Sequence, residues 1–146
     1  MRNGDDLSGH QRINIKRYIW EAGSEQVRHV FKDKVIIITS KMAYSEVYAA
    51  LTRRMREGHL TRVRYGQVCR LFELEWPAYL IVEVHDEVLH LSRDLIKKYP
   101  LRGFDALHLA SAKSVRQHLK TPITFGGADQ RLLESAEAEG FKLLAI

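Results

Sequence analysis

The chain predicts an α/β domain with a mostly parallel sheet covered by helices on both faces. Two observations carry this. Short apolar or β-branched runs of strand length alternate with longer segments of helical periodicity. The 146 residues, 45% of them hydrophobic, suit one domain with a core of its own.

The first dozen residues, Met1 to Arg12, stand apart. They are polar, with Leu7 the lone large apolar residue after Met1, and read as a loop or tail. The division expected is an atypical segment at 1–12 and a domain at 13–146. Ser24 can cap a helix to about Lys32, with Val27, Val30 and Phe31 on one face. Val35 to Thr39 is β-branched throughout and reads as a buried strand. Ser40 is the expected cap of a helix from about Lys41 to Arg56, which Gly58 ends. Leu60 to Leu74 forms the next helix, stopped near Pro77. Tyr79 to Val82 suits a short strand, with helix as the other option. From His85 to Lys98, Val88, Leu91 and Leu95 recur at helical spacing. Phe104 to His118 is a helix, Pro122 to Phe125 a strand and Asp129 to Glu139 a helix closed by Gly140. Phe141 to Ile146 is a last apolar strand.

Composition narrows the class of function. The formal net charge of +5 favours an anionic partner such as nucleic acid. Cys69, the single cysteine, makes neither a disulfide framework nor a zinc cluster, which fits a reducing compartment. No apolar run approaches the ~18–20 residues that span a bilayer. Met1 to Arg12 lacks the apolar centre of a signal peptide. The expectation is a soluble cytoplasmic protein with no membrane partner.

Three carboxylates stand where bland residues belong. Glu46 lies four residues from both Met42 and Ala50, so it shares or borders the apolar stripe of its helix. An exposed Glu at the stripe's margin is the competing reading. Asp105 opens a segment, Phe104 to Ala112, that is small or apolar on nearly every side. Asp129 follows the strand ending at Phe125 and the loop Gly126-Gly127-Ala128, a strand-to-helix turn of the kind that carries site residues in α/β proteins. A plain helix-capping role competes at both aspartates. Taken together, all three sit near helix starts and can converge on one edge of the sheet. Clustered carboxylates raise each other's pKa unless a cation neutralises them. An all-oxygen set suits Mg²⁺ or Mn²⁺ rather than zinc, and such an ion serves phosphodiester displacement.

These residues carry a resemblance to a known family. Thr39 to Val47, Leu101 to Ala110 (with Phe104-Asp105-Ala106-Leu107-His108-Leu109-Ala110) and Phe125 to Leu133 with Glu139-Gly140 occur in the family's order. From about Lys16 onward the chain resembles PIN domains, most closely the VapC-type toxins of toxin–antitoxin pairs. The resemblance implies a three-layer α/β/α sandwich and a Mg²⁺- or Mn²⁺-dependent endoribonuclease. It also implies a homodimer, an RNA substrate and a cognate antitoxin that inserts a peptide near the acidic site. It assigns Glu46, Asp105 and Asp129 as catalytic and metal-binding residues. The family opens with an apolar central strand ending in Asp, followed about six residues later by a Lys-Arg-Tyr-like stretch. Here Lys16-Arg17-Tyr18 matches that stretch, but His10, Gln11 and Arg12 occupy the region of the Asp. The first strand is therefore expected to be atypical or missing, through a displaced chain start or through replacement. The alternative function is a catalytically impaired PIN-like module that binds RNA or an antitoxin without turnover.

Arg53, Arg54, Arg56, Arg62 and Arg64 cluster with His59 around the turn between two helices, offset only by Glu57. A phosphate-contacting patch and a solvated hairpin tip are the two readings. Tyr65 stacks on a base or packs; packing is the simpler expectation. His85 and His90 are five residues apart, whereas one helical face needs four for a zinc pair. His108 reads as a structural residue of a buried helix. A phosphoacceptor receiver domain needs an Asp at the end of a central strand, and Glu46 does not occupy such a place.

Overall fold

The computed structural model describes residues 37–120, 122–127 and 129–145. The helix expected at 24–32, residues 35 and 36 of the first strand, and the segment around His10 lie outside the described residues.

Among the described residues four short strands are seen, β1 (Ile38–Ser40), β2 (Leu80–Val82), β3 (Thr124–Gly127) and β4 (Lys142–Ala145). Their pairings are parallel. β1 runs beside β2 with Ser40 opposite Val82, and β3 beside β4 with Gly127 opposite Ala145. Parallel neighbours require crossovers, and helices supply them. Between β1 and β2 lie α1 (Ala43–Arg56), α2 (Arg62–Glu75) and a 3₁₀ turn at Trp76–Ala78. Between β2 and β3 lie α3 (Asp86–Lys98) and α4 (Gly103–Leu119), and α5 (Gln130–Ala138) joins β3 to β4. α4 packs on β1, and α5 on β3 and β4. This is the α/β arrangement that the alternation of segments predicts.

The helix limits follow local chemistry and fall within a residue or two of expectation. Ser40 does not cap α1. Its backbone is held in β1 opposite Val82, and Lys41 N–H donates to Val82 O at 3.0 Å, so the chain enters the helix later than expected. Met42 takes the N-cap position without a side-chain bond. Thr61 does cap α2, its Oγ1 accepting from Arg64 N–H at 3.1 Å. Gly58 follows α1 with φ +79°, a left-handed conformation that costs glycine little.

Among the described residues two apolar clusters fill the interior. The larger takes Val88 and Leu95 of α3, Leu109 and Val115 of α4, Phe125 of β3 and Leu132 of α5. The smaller lies within the α1–α2 hairpin, where Val47 and Leu51 meet Val68 and Phe72. A polar tie closes the back of the larger cluster. The Glu139 carboxylate, 5% exposed, accepts from Lys113 Nζ at 2.7 Å, Lys98 Nζ at 2.9 Å and the Tyr99 hydroxyl at 2.5 Å. Burial alone would raise its pKa, but the donors outweigh burial and hold it at about 2.

Candidate active site

Glu46 and Asp129 come from helix starts that follow strand ends, and Asp105 from the start of the long buried helix. Glu46 is in the first turn of α1, its side chain only 14% exposed. The helix buries Ala43, Val47, Ala50 and Leu51, and Glu46 borders that stripe as the spacing predicts. Asp129 is the N-cap of α5, its Oδ1 accepting from Leu132 N–H at 2.9 Å. The capping role is thus real there, and it fixes the carboxylate at the end of β3. Asp105 lies in the first turn of α4, but Arg102 is the N-cap and no side-chain bond caps that helix. Capping therefore does not account for Asp105.

The electrostatics bring the three together. Asp105 is half-buried, and its pKa is raised above the ordinary carboxylate value. Burial is the largest cause, and the negative charge of Asp129 is next. Glu46 raises it further, while His108 and Arg102 pull it down. Asp105 therefore sits in the field of both other carboxylates. Among the described residues no three His, Cys, Asp or Glu side chains close into a ready metal-holding group. The donor set still fits a hard divalent cation. It offers carboxylate oxygens alone, and a positive charge there would relieve the repulsion that Asp105 carries.

One partner escaped the sequence reading. His108 is fully buried, and its Nε2–H donates to Glu46 Oε2 at 2.9 Å, across 62 positions of sequence. It stands one turn after Asp105 on α4, so α4 presents a carboxylate and a carboxylate-binding imidazole at adjacent levels. A signal was available. A His inside Ala106 to Ala112 is a buried polar group, and such groups need a partner.

Comparison with known proteins gives the family. Residues 18–121 match the PIN domain family. The chain is 31% identical over 129 residues to Ribonuclease VapC45 and, to the same extent, to Ribonuclease VapC49, both of Mycobacterium tuberculosis. Each alignment covers 88% of this chain and 88% of the relative.

The chain is a PIN domain of the VapC type.

The PIN sandwich accounts for the parallel pairing of the strands, β1 with β2 and β3 with β4. In this PIN domain the five arginines expected to contact phosphate lie at the α1–α2 tip, whereas Arg102 stands by Asp105. Arg53, Arg54 and Arg56 occupy the last turn of α1, with Arg62 and Arg64 opening α2. Arg53, Arg56, Arg62 and Arg64 are exposed and Arg54 is partly so. Arg53 is two helical turns beyond Glu46, roughly 10 Å along the α1 axis. Tyr65 packs as the simpler reading expects, its hydroxyl 2.8 Å from Thr52 Oγ1. Cys69 is half-buried, and burial pushes its thiol pKa up, which suits no nucleophile. No helix among the described residues is long and apolar enough to cross a membrane.

Proposed function

We propose that this PIN domain is a metal-dependent endoribonuclease, the toxin of a type II toxin–antitoxin pair, which hydrolyses RNA phosphodiester bonds at Glu46, Asp105 and Asp129. The observation that carries the site is the raised pKa of the half-buried Asp105, caused first by burial and then by the charges of Asp129 and Glu46. Carboxylates so placed call for a cation, and all-oxygen donors select Mg²⁺ or Mn²⁺. The VapC relatives are ribonucleases by name, which supports the reaction class.

Glu46, Asp105 and Asp129 would hold the ion. When bound, it supplies Lewis acidity toward the phosphoryl oxygens and counters the charge that develops there. The rest belongs to the chain. The Leu132 N–H keeps Asp129 at the head of α5. Asp105 stands in the first turn of α4, half-buried and within the field of Asp129. The arginines at the α1–α2 tip contact flanking phosphates of the RNA and set its path along α1 toward Glu46. A cognate antitoxin covers the acidic edge, and the toxin works as a homodimer in the cytoplasm.

The test is cleavage of total cellular RNA by the purified chain with Mg²⁺ or Mn²⁺, against the same reaction in EDTA. Cleavage that needs the ion and disappears in Asp105→Asn is expected. No cleavage by metal-loaded wild-type protein would sink the enzymatic reading. A second reading, a binding module without turnover, is favoured by His10, Gln11 and Arg12 in the region where the family has its first Asp. Tight, metal-independent binding of the antitoxin with no RNA cleavage would establish it.

A further inference from the structure

We propose that His108 is a positioning residue of this site, its buried imidazole fixing the Glu46 carboxylate in the orientation that takes a divalent cation with Asp105 and Asp129. The inference rests on the ribonuclease reading above and deepens it.

His108 is fully buried between Leu107 and Leu109, and α4 buries Ala106, Ala110 and Ala112 around it. An imidazole in such a place carries a desolvation cost that an apolar side chain of similar size avoids. Packing alone therefore does not call for histidine. The Nε2–H reaches one atom of functional interest, Glu46 Oε2, at 2.9 Å. The last torsion of a Glu side chain is broad and soft, so an unanchored carboxylate samples many orientations. A hydrogen bond from a rigid buried ring removes that freedom. The bond also ties α1 to α4 one turn below Asp105, so it sets the separation of the helices that carry two of the three carboxylates. Groups that orient metal-binding carboxylates in this way are typically worth about 10–100-fold in metal affinity.

The experiment measures Mn²⁺ affinity by calorimetry on the full chain, wild type and four variants, together with thermal stability in EDTA. His108→Leu fills the space without a donor. His108→Gln places an amide N–H near the Nε2 position, and His108→Asn cannot reach it. Glu139→Gln, remote from the site, weakens the fold and controls for stability alone. The expected result is loss of about 10–100-fold in Mn²⁺ affinity for Leu and Asn. Gln should stay within a few-fold of wild type, and Glu139→Gln should bind as wild type does. The Mn²⁺ concentration for half-maximal RNA cleavage should shift in parallel, while KM for RNA stays put. Wild-type affinity in either His108→Leu or His108→Asn overturns the inference and leaves the ribonuclease reading standing. Equal losses in Leu and Gln overturn it also. Should His108→Leu fail to fold, the Gln and Asn pair decides. A wild-type protein that neither binds Mn²⁺ nor cleaves RNA overturns both readings.

Discussion

A carboxylate in the first turn of a helix normally gains from the dipole and ionises readily. Asp105 has that position on α4 and still has a raised pKa, because burial and its two acidic neighbours outweigh the dipole. The sign of the effect on stability follows. Between the ordinary value of 3.8 and the raised one, the folded state holds more protons than the unfolded state. Stability contributed by Asp105 thus falls as pH rises through that window and stays lower above it. Asp105→Asn is therefore expected to raise the Tm of metal-free protein by a few degrees at pH 7 while abolishing cleavage. Calorimetric melts in EDTA check the first part and a gel assay the second. With Mn²⁺ at about 100 times its Kd, wild-type protein should gain about 2.7 kcal/mol, and the variant should gain nothing measurable. Glu46 and Asp105 stood out because each borders or interrupts an apolar pattern, and Asp129 because it opens a helix after a strand. The His108–Glu46 bond did not, because its partners lie 62 positions apart and no periodicity links them.

The helices were read from spacing, and their limits moved by a residue or two where caps decided them. Ser40 illustrates the reason. Its side chain suits a cap, but pairing with Val82 held its backbone in the sheet. Strand pairing is non-local and leaves no mark in a cap motif. The Glu139 tie is equally non-local, joining the end of α5 to α3 and α4. A carboxylate held at about 2 rather than the ordinary 4.5 contributes about 3 kcal/mol at neutral pH. Glu139→Gln should accordingly cost roughly 2–3 kcal/mol at pH 7 by urea denaturation. Because the folded pKa is depressed, this contribution is present above the ordinary value of 4.5 and lost as pH falls through about 2. Wild type and variant should therefore converge in acid, and a constant gap would refute the assignment.

The α/β class followed from alternation alone, and the comparison with PIN domains bears it out. Which strands pair was not legible, since parallel order depends on crossovers rather than on any one segment. The placement of charge over the surface has its own consequence. The chain is basic while the proposed site is acidic, so RNA should be drawn first to the arginines of the α1–α2 tip. Replacing Arg53, Arg56 and Arg62 together by Gln should weaken RNA binding at every sequence. It should also lower the slope of log K against log salt by roughly 0.7 for each phosphate that is no longer neutralised. Fluorescence titrations of a labelled RNA across salt concentrations measure both. An unchanged slope would mean that the tip is only a solvated turn.

The separation of the two apolar clusters bears on motion. Glu46 rides on α1, which belongs to the hairpin cluster, whereas Asp105 opens α4 and Asp129 caps α5 in the larger one. Among the described residues the acidic trio therefore draws on two packing units, and an ion held by all three would join them. Units with separate cores can open with separate free energies. Amide exchange in α1 and α2 should be the faster in EDTA and should slow on addition of Mn²⁺, with little change in α3. An ion that assembles the reacting site would then also switch off the hairpin's independent breathing.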